Sequence, residues 1–177
     1  ILWRKQTNAP NKFMGSGMLP AGAYVTLEHE YILILRKGEK RDFTTIDRER
    51  RQRSAFFWEE RNVWFSDIWD FKGSKQALSE NGTRQRSAAF PFELAFRLIN
   101  MYSLQEDIVL DPFLGTGTTM VAAMAAARNS LGIEVERNLK STIEQQIKKN
   151  SSVINERQLQ RIKEHASFVI DYQEIRK

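Results

Sequence analysis

The stretch "IVLDPFLGTGTTMVAAMAAARNS", residues 108–130, constrains the fold of this chain more than any other. Ile108, Val109 and Leu110 form a short apolar run that ends in a turn holding Gly115 and Gly117, and a helix of small residues follows. Apolar run, glycine turn and helix in that order read as a strand feeding a helix through a tight loop. The alanines would let the helix lie close against a sheet. A second strand, "SLGIEVE" (130–136), and an amphipathic helix, "NLKSTIEQQIKKN" (138–150), come next. Strand, loop, helix, strand, helix is a parallel α/β unit, joined by right-handed crossovers.

The loop's composition limits what it can hold. A triphosphate loop needs Lys then Ser or Thr after its last glycine, whereas Gly117 is followed by Thr118, Thr119 and Met120. A dinucleotide loop needs a third glycine where Met120 stands, which leaves an NAD-dependent oxidoreductase as a weaker alternative. A nuclease using Asp111 would want an acid-x-Lys step downstream, but Glu134 is followed by Val135 and Glu136. The glycines instead open backbone to a ligand, and the helix after them offers free N–H groups and a positive dipole end to a carboxylate. Glu134 sits at or near the end of the next strand, where an acid can accept ribose hydroxyls. An amino-acid end and a ribose end together match S-adenosylmethionine.

Upstream, "FPFELAFRLINMYS" has helical apolar spacing with Pro91 suited to its first turn, and residues 31–36 read as a buried strand closed by Gly38. The Gly- and Pro-rich residues 4–24 read as a long loop and residues 74–83 as turns. Residues 56–71 crowd seven aromatic side chains, a pattern of core or interface packing. The basic run "DRERRQR" (47–53) is read first as a solvated helix face or connector, with a phosphate-binding arm as the alternative. The tail from residue 151 is charged and helical in pattern.

At 177 residues and 41% hydrophobic, the chain has the size of one domain, and its net charge of +5 suits a polyanionic partner. No cysteine is present, which excludes disulfides, thiolate zinc sites and thiol nucleophiles. His29 and His165 are too few and too far apart for ordinary metal spacing, so no metal is expected. No apolar run approaches the ~20 residues that cross a bilayer, and the cell interior is the expected location. The first residues, Ile1-Leu2-Trp3, read like the end of a strand that began earlier.

"DPFLGTGTT" followed by "LGIEVE", and preceded by "RSAAFPFELAFRLI", resembles the cofactor half of the DNA amino-methyltransferases. It is most similar to the permuted class in which catalytic sequence precedes cofactor sequence. The resemblance implies an α/β, Rossmann-like methyltransferase fold, a mostly parallel sheet with helices on both faces, here partial at its N-terminus. One domain is implied: late strands of the catalytic half (1–38), a candidate target-recognition insert (39–85), the cofactor half (86–150) and a charged tail (151–177). Carried onto this sequence, Phe113, Gly115, Gly117, Thr118 and Thr119 would line the methionine end of S-adenosylmethionine, with Asp111 near its amino group. Glu134 would take the ribose, while Phe90 and Pro91, with backbone from Ser87 and Ala88, would close the other side. Phe90 and Phe113 can equally be core, and Asp111 can cap its own loop.

The implied activity is methyl transfer to cytosine N4 or adenine N6 of double-stranded DNA in a prokaryotic restriction-modification system, with cytosine favoured because "RSAAFP" looks more like enzymes of that kind. Lys12, Arg48, Arg50, Arg51 and Arg53 are the implied DNA contacts. Two departures stand out. Arg86-Ser87 replaces a common His-Pro, and the catalytic tetrapeptide, Asp, Asn or Ser followed by Pro-Pro and an aromatic, is nowhere in the chain. The catalytic residue is therefore unassigned. A chain that starts after the tetrapeptide, a complementing N-terminal chain and a homodimer remain open, as does a cognate endonuclease.

Overall fold

In the computed structural model, which describes residues 1–5, 28–73 and 90–175, β4 (Ile108–Asp111) and β5 (Asn129–Gly132) pair in parallel with Leu110 opposite Leu131 and Asp111 opposite Gly132. The α4 helix (Thr118–Ala125) makes the crossover between them. The α3 helix (Phe92–Tyr102), entered through Pro91 as N-cap, precedes β4 and packs on α4. The α/β class expected from the sequence stands.

The alanines of α4 set how closely these layers pack. Ala122 and Ala123 are wholly buried, and with Ala125 and Ala126 they pack in one cluster with Phe96, Ile99 and Trp64. Side chains this small let a helix approach its neighbour closely, and the large rings of α3 and Trp64 fill the space that remains. Val109 on β4 packs against this cluster, whereas Ile108, Leu110 and Leu131 are more than half exposed. Strand alternation puts these on opposite faces, so α3 and α4 cover one side of the pair and the other side is bare among the described residues.

The remaining strands form a separate sheet ordered β2 (His29–Tyr31), β1 (Leu2–Arg4), β3 (Ile68–Asp70); β1 is antiparallel to β2 and parallel to β3. Trp3 and Trp69 are buried on this sheet against Leu94 of α3. Their indole N–H groups donate to the carbonyls of Phe71 at 2.9 Å and Trp64 at 3.1 Å, so each large ring is buried with its polar atom satisfied. Thus α3 supports both sheets.

The expected buried strand over residues 31–36 is corrected. The strand is His29–Tyr31, Ile32 exchanges backbone hydrogen bonds of 2.9 and 2.7 Å with Ile1, and Leu33 and Leu35 beyond it are 79% and 88% exposed. Among the described residues β2 has β1 as its one neighbour, at the edge of the sheet. The expected strand over 130–136 likewise ends at Gly132. The long loop at 4–24 and the turns at 74–83 fall mainly outside the described residues.

The aromatic segment divides: Trp64 and Trp69 are core, while Trp58 and Phe65 are more than half exposed. Between β2 and β3 in sequence lie α1 (Thr45–Arg53), opened by a reciprocal Thr44–Asp47 capping box, and α2 (Trp58–Trp64). After β5, a single 3-10 turn, Arg137–Leu139, leads to α5 (Lys140–Lys149) and then α6 (Ser151–Ile175). The charged tail is therefore a helix with a structural task. Arg161 of α6 holds Glu60 of α2 in a two-point ion pair, 2.7 Å at one point, and His165 stacks on Phe57 at 4.0 Å while its Nδ1 lies 2.9 Å from Glu59. Both Arg161 and Glu60 are largely removed from water, where such a fork holds its geometry best.

Candidate cofactor site

The loop after β4 is held by Asp111. One carboxylate oxygen accepts the Phe113 N–H at 2.9 Å and the other accepts the Thr119 hydroxyl at 2.5 Å. Asp111 thus caps its own loop and ties it to the first turn of α4. The chain then takes left-handed backbone at Gly115 (φ 57°) and at Gly117 (φ 90°), the N-cap of α4. A side chain at either would be strained. No side chain caps α4, so its first-turn N–H groups keep their capacity for a ligand. Thr118 and Thr119 are the first two residues of that helix, at the mouth of the loop.

Glu134, two residues beyond the end of β5, reaches the same loop. Its carboxylate accepts the Gly115 N–H at 2.7 Å and the Glu136 N–H at 2.8 Å. The Glu136 N–H, with those of Gly115 and Val135, holds the Glu134 carboxyl below the ordinary carboxylate range. Asp111 and Glu134 therefore stand at the ends of neighbouring parallel strands, on either side of the glycines.

Phe113 is 87% exposed, so it is not core but a ring at the rim of the loop. Phe90 is half-buried and packs against both hydrophobic clusters, and Pro91 opens α3. The structure brings Asp111, Phe113, Gly115, Gly117, Thr118, Thr119 and Glu134 together and uses Phe90 as core. Ser87, Ala88 and Lys12 lie outside the described residues.

Two residues that matter here escaped the sequence reading. Gly132 faces Leu114, and a Cβ at position 132 would stand 2.5 Å from the Leu114 Cδ2. Leu114 is buried there, which pins the loop onto β5. The glycine needed for close approach thus sits on the second strand, and only the Asp111–Gly132 register exposes its role. The other is Arg128, 6% exposed, which donates to Ser103 O at 2.7 Å, Ser103 Oγ at 3.1 Å, Asn100 Oδ1 at 3.3 Å and the Ala126 carbonyl. It neutralises the carbonyl ends of α3 and α4 at once. Burial pulls its pKa down to about 10, still charged at neutral pH.

The basic run resolves into two kinds of arginine. Arg50 donates to the Gln105 carbonyl at 2.7 Å and to Asp107 at 3.0 Å, and Arg53 donates to Glu106 at 3.1 Å. These two moor α1 to the turn before β4, so their guanidinium groups already have partners within the chain. Arg48 and Arg51 are exposed. No group of three or more His, Cys, Asp or Glu that could hold a metal occurs among the described residues, and no described helix is long and apolar enough to cross a membrane.

Residues 1–145 match the profile of the DNA methylase family of N6/N4 methyltransferases. Type II methyltransferase M.MthZI of Methanothermobacter thermautotrophicus is 58% identical over 171 residues, 96% of this chain and 48% of that protein. M.MjaI of Methanocaldococcus jannaschii is 52% identical over 147 residues, 83% of this chain and 48% of its own. TTHA0409 of Thermus thermophilus, described as a DNA modification methylase and solved in complex with S-adenosyl-L-methionine, matches with a TM-score of 0.60 at 35% identity, over 82% of this chain and 50% of its own. This chain spans about half the length of the curated relatives it matches. By sequence and by fold, the chain belongs to the DNA methylase family.

Proposed function

We propose that this chain is the cofactor-binding part of a type II DNA amino-methyltransferase that acts inside a prokaryotic cell on double-stranded DNA, with cytosine N4 favoured over adenine N6 as the acceptor. The observation that carries the reading is the placement of Asp111 and Glu134 at the ends of two adjacent parallel strands, flanking Gly115 and Gly117 above the uncapped start of α4. The residues fit S-adenosylmethionine: a Cβ at Gly115 would meet nothing nearer than the Phe113 carbonyl oxygen at 4.0 Å, the first turn of α4 suits a carboxylate, and Glu134 is an anion able to accept ribose hydroxyls. When bound, that cofactor supplies a sulfonium methyl group for in-line attack by an exocyclic amino nitrogen.

This chain's own residues bind and orient. The helix start receives the amino-acid end, Glu134 the ribose, and Phe113 offers an exposed ring at the rim. Arg48 and Arg51, with Lys12, are the phosphate contacts that fit the +5 charge. The preference for cytosine rests on the likeness of "RSAAFP" to enzymes of that kind.

A second reading, favoured by the bare apolar face of Ile108, Leu110 and Leu131, is that methylation needs a complementing segment that covers this face and carries the tetrapeptide. The test is transfer of labelled methyl groups from S-adenosylmethionine to double-stranded DNA, with the product nucleosides resolved by mass. N4-methylcytosine supports the first choice and N6-methyladenine replaces it. Cofactor binding without transfer supports the complementing reading, and neither binding nor transfer contradicts both.

A further inference from the structure

A cleft of about 500 Å³ opens where the last turns of α1 and α3 meet, lined by Arg41, Phe43, Arg51, Phe56, Tyr102 and the chain around Ser103. It lies at the opposite end of β4 from the cofactor loop, because α3 runs back from Phe92 near the loop side to Tyr102 just before β4 begins. Eleven helical residues span about 16 Å, so a guest here is separate from the base that receives a methyl group.

Its chemistry is specific. No carboxylate lines it. Phe43 is half-buried, and the Arg51 guanidinium lies 4.4 Å from its ring centroid. Arg41 is also within 5.8 Å of that ring but is committed to Asp107 through bonds of 2.6 and 3.2 Å. Arg50 and Arg53, its neighbours on α1, are paired as well, whereas Arg51 enters no ion pair among the described residues. One guanidinium is therefore left to meet an anion. Phe43, Phe56 and the 56%-exposed Tyr102 offer flat apolar surface beside it.

A flat ring with an attached phosphate satisfies both features. The geometry points to a second nucleotide-binding cleft: the base lies against Phe43, Phe56 and Tyr102, and its phosphate meets Arg51. The volume is in the range of small-ligand sites. The nucleotide can come from a single strand of DNA that passes over this end of the sheet or from the free pool.

The test is calorimetric titration of the 177-residue chain, with its cofactor seat saturated by S-adenosylhomocysteine, using adenosine 5′-monophosphate in one arm and a short oligothymidylate in the other. Binding of either probe is expected, weakened at least tenfold by Arg51→Glu and by Phe43→Ala and unchanged by Lys163→Ala, a charge loss on the exposed side of α6. Binding of the oligonucleotide alone assigns the cleft to DNA; binding of the mononucleotide assigns it to the free pool as well. No binding of either probe, or binding that survives Arg51→Glu, overturns the proposal. If S-adenosylhomocysteine itself gives no heat, the cofactor reading fails separately, and the Arg51→Glu comparison still judges the cleft.

Discussion

The carboxylate of Glu134 accepts the backbone N–H of Gly115 at 2.7 Å, so the acid after β5 and the glycine after β4 are one structural unit before any ligand enters. Glu134→Gln keeps the size and removes the charge. S-adenosylmethionine affinity should fall about tenfold, the worth of one hydrogen bond to a charged group. Because backbone N–H groups hold the Glu134 carboxyl below its ordinary value of 4.5, affinity of the unaltered chain should stay level as pH falls toward that value and drop only below it. The Gln variant should lack this acid-side drop, and calorimetry across pH reads both.

Gly132 and Leu114 make a second coupled pair. Gly132→Ala would set a methyl group 2.5 Å from the Leu114 side chain and should destabilise the fold by roughly 1–3 kcal/mol as overpacking. Leu114→Ala alone should also destabilise, since Leu114 is buried. The double variant should be less unstable than the two losses added, which urea unfolding can measure.

Asp107 anchors α1. Burial works against its carboxylate, but the Arg41 guanidinium, the Leu104 N–H at 2.8 Å and the Arg50 charge outweigh it and leave its pKa below 3.8. A carboxyl depressed in the folded state stabilises above its unfolded pKa, and that contribution is lost as pH falls through the folded value. Asp107→Asn should therefore lower the urea midpoint at neutral pH and lessen the further fall on acidification. An unchanged acid profile would contradict the network's role.

Arg128 should tolerate no small replacement. Arg128→Ala strands the Ser103 and Ala126 carbonyls in the interior and should cost roughly 3 kcal/mol. Because its partners are carbonyls rather than carboxylates, added salt should leave that loss almost unchanged. Chemical denaturation at low and high salt checks both statements.

Local signals were readable where the structure depends on neighbours in sequence. The run from Ile108 to Ala125 carries its own strand, glycine turn and small-residue helix, and all three form as expected. Residues 31–36 misled because an apolar run does not say which of its residues are buried, and Leu33 and Leu35 are exposed. Arg50 and Arg53 meet acids more than fifty positions away, which the sequence does not show, because a basic run looks the same whether it faces solvent, DNA or Asp107. Gly132 passed unnoticed because its value depends on the register between two strands.

The most direct test of the cofactor seat is a calorimetric titration of the chain with S-adenosylmethionine and, separately, with NAD. Gly117→Val is the companion variant, since a β-branched residue cannot hold the φ of 90° at the head of α4 without strain; urea unfolding of the variant confirms that it remains folded. One-to-one binding of S-adenosylmethionine, no heat with NAD and loss of binding in Gly117→Val are expected. Binding of NAD without S-adenosylmethionine, or unchanged affinity in a folded Gly117→Val chain, would contradict the assignment of residues 111–119 and Glu134.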